Sequence, residues 1–265
     1  METAIKAWIN SAVFAILLIV HYFSSNLIKN TNQKELFNNY LTPINPAPFT
    51  LSIWGVIYTL IFMSLVVMIL NRNRASYRNM IDDISPLFWL SSLLTIGWVV
   101  TFLSNKRLIS IVFILGLTVV LTAMNRMIVR NNDNKKNFLA LTFGLYNGWL
   151  LIVSIANLAA YLVEREWNKW GLSEESWGII LLSLAFILAV LMMGWLKNAS
   201  FTIPAAWACY EMYQFLVSST ELKNRYFLLS LVSIIYMGFL VVGAVIQFKL
   251  NRWKWIPAPK RNIYL

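Results

Sequence analysis

Long apolar runs separated by short polar gaps dominate the pattern along the chain. A helix needs about 20 apolar residues to cross the hydrocarbon core of a bilayer. The runs are continuous and lack the alternation typical of barrel strands, so each predicts a membrane-spanning helix. Eight stretches meet this criterion, at roughly 7–28, 50–71, 86–104, 107–125, 137–163, 177–196, 200–219 and 226–248.

The composition supports the same class of protein. The 265 residues are 59% hydrophobic and 12% charged, whereas a soluble domain carries roughly 25% charged residues. This excludes a soluble or disordered chain, and a single cysteine, Cys209, excludes a disulfide framework. We therefore predict an all-α, polytopic membrane helix bundle with about eight transmembrane helices.

The net charge of +11 indicates membrane lipids as partners and not nucleic acid, because the basic residues lie in the gaps between apolar runs. Eight spans place both termini on one side, which then holds 14 of the 22 lysines and arginines. The positive-inside rule predicts that this side is cytoplasmic, with the plasma (inner) membrane as the expected location. The basic tail, 249–265, is expected to lie along an anionic lipid surface.

Twelve tryptophans are present, and most lie near the ends of the predicted spans, as in an aromatic belt. A deeper indole needs a hydrogen-bond partner or a protein interior. Core packing and a pocket for a flat aromatic ligand both remain open for these residues. The deeper tryptophans are Trp54, Trp98, Trp149 and Trp207.

Two spans place aromatic residues at helical spacing. Trp54 and Tyr58 are four residues apart, and Tyr146 and Trp149 are three apart, so each pair shares a helix face. Asn157 lies two turns after Trp149 and brings an amide to membrane depth, where it needs an internal partner. Interhelical hydrogen bonding and ligand contact both fit this asparagine.

Three further features bear on assembly and chemistry. Gly144 and Gly148 form a GxxxG face, which favours close helix approach and is compatible with a homodimer or an assembly role. His21, the single histidine, is expected to be a hydrogen-bonded or interfacial residue. One histidine and one cysteine do not make a recognised metal site, so no metal is expected.

Glu211 is the only acidic residue well inside a predicted span. Trp207 and Gln214 fall on the same helical face as Glu211. An intramembrane carboxylate is a functional-site hypothesis by default. The alternative function is therefore a transporter, or a membrane-embedded enzyme acting on a lipid or isoprenoid, that uses Glu211.

Three segments together resemble the TspO/MBR family, the tryptophan-rich sensory proteins that include the translocator protein. The resemblance covers about residues 1–163 and keeps the family's spacings and span order. The matching segments are the proline-rich stretch 45–49 followed by Trp54 and Tyr58, then Trp98 with the turn at 105–107, and finally Tyr146, Trp149 and Asn157.

This resemblance implies a five-helix bundle over 1–165, followed by three additional helices over 166–248. It implies a cavity between spans 1, 2 and 5, capped by the loop between spans 1 and 2. Family members bind tetrapyrroles or sterols, and some bacterial members are implicated in light-dependent porphyrin breakdown. A porphyrin or haem would enter as the ligand of a sensor or carrier, and no resident cofactor is expected. The implied site residues are Trp54, Tyr58, Trp98, Tyr146, Trp149 and Asn157.

Overall fold

The computed structural model describes residues 2–30, 52–130, 137–218 and 220–258, and these ranges fold into helices without a β-strand. Seven of the helices, α1 to α6 and α9, are long and apolar enough to cross a membrane. A 3-10 turn, Lys169–Gly171, lies between α5 and α6. The helices are α1 Thr3–Asn30, α2 Ile53–Leu70, α3 Ala75–Leu103, α4 Arg107–Arg130, α5 Asn137–Glu164, α6 Glu174–Leu196, α7 Ile203–Leu216, α8 Thr220–Arg225 and α9 Phe227–Leu250.

The third span starts earlier than the apolar pattern predicts. The prediction begins at residue 86, whereas α3 begins at Ala75. The apolar run does not include Asp82, which lies between Ala75 and residue 86. In the structure, Lys6 Nζ donates to Asp82 Oδ1 at 2.6 Å and Thr3 Oγ1 donates to Asp82 Oδ2 at 3.0 Å. This pairing with α1 lets the helix continue through a charged position.

The predicted span 200–219 corresponds to the shortest crossing. Its helix, α7, has 14 residues, which rise about 21 Å and fall short of the roughly 30 Å hydrocarbon core. Lys197 ends α6 in a left-handed conformation with φ 53°. Pro204 lies in the first turn of α7, where its missing N–H costs nothing. A non-helical turn, 197–202, therefore separates the two helices.

Contacts at both ends of the bundle show that this segment nevertheless crosses it. Asn251 Nδ2, just after α9, donates to Lys197 O at 2.9 Å. Arg225 Nη2, just before α9, donates to Glu174 Oε2, at the start of α6, at 2.7 Å. Helices α6 and α9 therefore run in the same direction, and 197–226 returns between them. The prediction of about eight crossings fits this path, with seven full-length helices and one short one.

We call the end of the bundle that holds Lys197 and Asn251 the terminal end, because Thr3 also lies there with Asp82. The other end, which holds the α3–α4 turn and the start of α6, is the opposite end. Helix α5 lies at the centre of the bundle. In its most apolar 18-residue stretch, 67% of the residues are buried, against 22–33% in the corresponding stretches of the other six long helices. It contributes to the apolar core formed with α1–α4 and to the core formed with α6, α7 and α9.

Asn198 anchors the turn 197–202 inside the protein. Its Nδ2 donates to Asn125 Oδ1 at 3.1 Å and to Ala140 O at 2.8 Å. Its Oδ1 accepts from Ser200 N at 3.1 Å and from Ser200 Oγ at 2.8 Å. Non-helical backbone is tolerated at membrane depth only when protein surrounds it, and these bonds provide that environment.

The same turn occupies the GxxxG face of α5. A Cβ atom at Gly148 would overlap Phe201 O, and one at Gly144 would overlap Ser200 Oγ and the Asn198 amide. The two glycines thus permit close approach, as predicted, but the partner is a turn of the same chain and not a helix. Within one chain, residues 198–201 therefore occupy this face.

The residues after α9 fold back onto the terminal end. Ala199 N donates to Trp255 O at 2.8 Å, and Trp255 N donates to Asn137 Oδ1 at 2.8 Å. Ile256 is fully buried, whereas Trp253 is exposed. The tail predicted to lie along a lipid surface therefore contributes Trp255 and Ile256 to the protein interior, because its backbone pairs with the turn and with α5.

Candidate functional site

One aromatic cluster gathers five of the six residues predicted to contact a ligand. The Trp54 ring centroid lies 5.3 Å from that of Tyr58, 6.2 Å from Trp98, 6.0 Å from Tyr146 and 6.2 Å from Trp149. These separations are typical of favourable aromatic pairs. With His21, these residues form what we call the Trp54 cluster.

Four helices place these side chains. The start of α2 supplies Trp54 and Tyr58, the last part of α3 supplies Trp98, and the middle of α5 supplies Tyr146 and Trp149. Helix α1 completes the cluster, so it lies between α1, α2, α3 and α5. The resemblance implied a cavity between spans 1, 2 and 5; at this position the rings of α2 pack against rings of α3 and α5.

His21 is the member that sequence reasoning did not place in the site. Its ring centroid lies 5.3 Å from that of Trp54 and 5.1 Å from that of Tyr58. Phe14, seven residues earlier on α1, contacts Tyr58 at 6.1 Å. A seven-residue spacing keeps both side chains on one helix face, and this spacing was the available signal.

Hydrogen bonding within the Trp54 cluster is incomplete among the described residues. Tyr146 Oη has a partner, Thr95 Oγ1, at 3.1 Å. Four other buried polar atoms of the cluster have none: His21 Nε2, Tyr58 Oη, Trp98 Nε1 and Trp149 Nε1. Buried polar groups are paired in the great majority of cases, and each unmet one costs about 1–3 kcal/mol. Four such atoms around one set of rings leave hydrogen-bonding capacity that no described residue uses.

The side chains that α5 contributes to the Trp54 cluster are more deeply buried than those that α2 contributes. Trp149 and Tyr146 are buried, whereas Trp54 and Tyr58 are half-buried. Trp54 contacts every other ring of the Trp54 cluster. The proline-rich stretch 45–49, predicted to cap the site, lies outside the described residues.

Asn157 lies apart from the Trp54 cluster. Its Nδ2 donates to Ser110 Oγ at 3.2 Å, and Ser110 Oγ also lies 3.2 Å from Asn157 Oδ1. The amide therefore joins α5 to α4, two turns beyond Trp149 toward the opposite end. Of the two interpretations left open by the sequence, interhelical hydrogen bonding describes the observed contact.

Glu211 is buried on α7, with 7% of its surface exposed. It makes no hydrogen bond or ion pair with a described residue, and Gln214 is exposed and donates to Tyr210 Oη at 2.9 Å. Gln214, expected on the same helical face, is therefore solvent- or lipid-exposed and bonds along α7 instead of to Glu211. Among the described residues, no group of three or more His, Cys, Asp or Glu side chains is arranged to hold a metal.

The sequence model of the TSPO-like protein family matches residues 7–246. The chain belongs to the TSPO-like protein family. The match confirms the resemblance found in the first five spans and also covers α6, α7 and most of α9, which the sequence alone set apart as additions. No curated protein and no solved structure gives a significant match. The family and the seven long apolar helices identify a TSPO-like integral membrane protein.

Proposed function

We propose that this TSPO-like protein binds a flat, hydrophobic ligand of the tetrapyrrole class at the Trp54 cluster and acts as its sensor or carrier in the membrane. One observation carries the proposal: four buried polar atoms that have no hydrogen-bond partner among the described residues surround a set of contacting rings. Large rings stack well on indoles, and ligand sites are mostly apolar with a few convergent polar groups.

The polar atoms define what the ligand offers at its edge. The Trp98 and Trp149 indoles and the Tyr58 hydroxyl donate, whereas the His21 ring nitrogen either donates or accepts. A ligand with an apolar face and hydrogen-bond acceptors in or around its ring matches this set. Porphyrins have this combination, and a sterol has the apolar body with fewer acceptors.

The test is a titration of the detergent-purified protein with protoporphyrin IX, followed by Soret absorbance and tryptophan quenching. We expect saturable binding near one ligand per chain, weakened about tenfold or more in Trp54→Phe/Trp149→Phe because both stacking surfaces shrink and the unpartnered indole N–H of Trp149 is lost. Repeating the titration with a sterol as competitor shows whether the two ligand classes share the site.

A matched control removes two tryptophans that lie outside the Trp54 cluster. Trp170 and Trp195 are exposed, at 71% and 53%, so Trp170→Phe/Trp195→Phe keeps the cluster intact while deleting the same number of indoles. Unchanged affinity in the cluster variant, or an equal loss in the control, would contradict the proposal. Light-dependent loss of the Soret band in the parent protein but not in the cluster variant would add a catalytic role.

Glu211 supports a second candidate function, because a buried carboxylate without a described partner is costly to keep in a membrane protein. In that case the carboxylate couples proton binding to transport, or acts as an acid on a lipid or isoprenoid. Glu211→Gln should then abolish the proton-driven uptake of such a substrate into proteoliposomes while leaving protoporphyrin binding intact. Glu221→Gln, at an exposed position of α8, is the control, and full uptake by Glu211→Gln would eliminate this function.

A further inference from the structure

Three tryptophans form a second aromatic cluster at the opposite end of the bundle, where the chain passes from α5 to α6. The Trp167 ring centroid lies 4.7 Å from that of Trp177 and 5.0 Å from that of Trp170, and the last two are 5.7 Å apart. Trp177, in the first turn of α6, packs against the core formed with α6, α7 and α9. Trp170 is 71% exposed, so a face of its indole is open. We call these three residues the Trp170 cluster.

The backbone holds Trp170 in a conformation that bulky residues rarely adopt. Its φ of 55° and ψ of 28° lie in the left-handed region, which a Cβ atom disfavours and which glycine adopts freely. Asn168 Oδ1 accepts from Trp170 N at 3.0 Å and fixes this turn. Strained residues of this kind concentrate at functional sites. The strain therefore favours a role for the indole itself.

The charge around the Trp170 cluster favours a cationic ligand. Residues 164–177 contain four glutamates against two cations, Arg165 and Lys169. Lys169 Nζ lies 3.6 Å from Glu174 Oε1, and Arg165 lies over a tyrosine ring of α5. Glu166, directly before the first ring of the cluster, is exposed and its carboxylate makes no ion pair with a described residue. A negative charge is therefore left beside the rings.

Other tryptophans of the protein already hold a cation against the ring. The Arg126 guanidinium carbon lies 4.4 Å from the Trp195 centroid, and Lys249 Nζ lies 5.8 Å from the Trp253 centroid. Within the described ranges, no lysine or arginine takes this position over the Trp170 cluster. The electron-rich face of an indole attracts cations, and quaternary ammonium groups are the organic cations that aromatic cages commonly recognise.

A membrane-interface anchor does not require this arrangement. A single indole suffices to anchor a helix end at the headgroup level. In the Trp170 cluster the three ring planes stand 83–84° apart. Rings at right angles present faces in different directions, which suits a nearly spherical group such as trimethylammonium. Stacked rings would suit a flat ligand instead.

We propose that the Trp170 cluster binds an organic cation of the quaternary ammonium class. Trp170 supplies the exposed ring face, Trp167 and Trp177 hold it in place, and Glu166 supplies the counter-charge. The site lies apart from the Trp54 cluster and does not depend on the function proposed for it. Trp54→Phe/Trp149→Phe should therefore bind the cation as the parent protein does.

The experiment titrates choline chloride into the full-length protein in a maltoside detergent, with the tryptophan indole nitrogens isotopically labelled for NMR. Of the twelve indole signals, we expect the three of the Trp170 cluster to shift saturably, with a Kd in roughly the millimolar range. Dimethylbutanol, the uncharged carbon isostere of choline, should bind about fivefold more weakly or not at all. Sodium chloride at equal concentration controls for ionic strength.

Trp170→Gly removes the exposed ring and suits the left-handed backbone, so the protein should fold with an unchanged or higher thermal midpoint. Choline binding should weaken about fivefold or more. Trp253→Gly is the matched control, because Trp253 is also exposed, at 65%, and also left-handed, with φ 60°. This control should bind choline normally. Glu166→Gln should weaken choline about twofold and leave dimethylbutanol unaffected.

Equal binding of choline and dimethylbutanol would overturn the proposal, because the rings would then be only an apolar surface. The absence of saturable shifts, or an equal loss of binding in Trp253→Gly, would overturn it as well. Nanodiscs distinguish two sources of the cation. Choline shifts that disappear in phosphatidylcholine nanodiscs assign the site to a lipid headgroup, whereas shifts that persist there assign it to a soluble ligand. Both of these results support the proposal.

Discussion

The Trp54 cluster and the Asn198 turn both bury polar groups at membrane depth against α5, but their hydrogen bonding differs completely. At the turn, the Asn198 amide uses both donor and acceptor capacity on Asn125, Ala140 and Ser200. In the Trp54 cluster, four buried polar atoms lack a partner among the described residues. The two regions are thus alike in burial and differ in how far the described residues satisfy the buried polar groups, and the proposed binding site rests on that difference.

Helix α5 presents the two regions within six residues. Gly144 and Gly148 contact the turn, and Tyr146 and Trp149 face the rings. Because packed helices transmit small shifts through contact, the turn supports the back of the ring site. Substitutions on the two sides of α5 should therefore differ in their effects on stability and binding.

The largest effect is expected from Gly148→Ala on the turn side. The new methyl group would overlap Phe201 O, a backbone atom that cannot rotate away. We expect a loss of about 3 kcal/mol or more in the free energy of unfolding, from overpacking and the displaced turn. Thermal unfolding in detergent, followed by near-UV circular dichroism, measures it.

Gly238→Ala provides the matched control for that comparison. It lies within α9, and no other atom comes within 4 Å of the point where its new methyl group would sit. Alanine is the better helix former by about 1 kcal/mol, so this variant should keep or slightly raise the midpoint. Equal stability of the two variants would show that the turn does not pack against α5 as described.

Asn198→Ala should have the next largest effect. It removes the hydrogen bonds to Asn125, Ala140 O and Ser200 and leaves their buried groups unmet, which costs about 2–3 kcal/mol. The control is Asn168→Ala, at an exposed residue whose side chain accepts from Trp170 N. A loss in Asn198→Ala no greater than in the control would contradict the structural role of the turn.

The smallest stability effects separate the two tyrosines of the Trp54 cluster. Tyr146→Phe removes the bond to Thr95 and should cost about 1 kcal/mol. Tyr58→Phe removes a hydroxyl without a described partner, so stability should be unchanged or higher. Protoporphyrin affinity should fall in Tyr58→Phe. A clear loss of stability in Tyr58→Phe would show that its hydroxyl is already satisfied within the protein.

The helices could be predicted because membrane crossing depends on composition over about 20 residues. Two features show the limits of this rule. Helix α3 extends back to Ala75 because Asp82 pairs with Lys6, and α7 crosses the bundle with only 14 residues because a buried turn precedes it. Both depend on hydrogen bonds to residues distant in the chain, which hydropathy does not report.

The rings of the site could be predicted from spacing, because Trp54 and Tyr58 share one face of α2 and Tyr146 and Trp149 one face of α5. His21 was missed because its importance comes from α2, which packs against α1. Asn157 was expected among the rings because two turns separate it from Trp149. A shared helix face fixes the direction in which two side chains point but not their depth in the membrane. Asn157 lies further along α5 than Trp149, level with Ser110 of α4.

The return of Trp255 and Ile256 to the terminal end has a consequence for biogenesis. Ala199 and Asn137 bond to Trp255, and Ile256 is fully buried beside them. These groups are synthesised long before residue 255 leaves the ribosome. The α4–α5 region must therefore wait in the membrane with an open end. A chain that stops after α9 would contain the seven long apolar helices but would lack the residues that pair with Ala199 and Asn137.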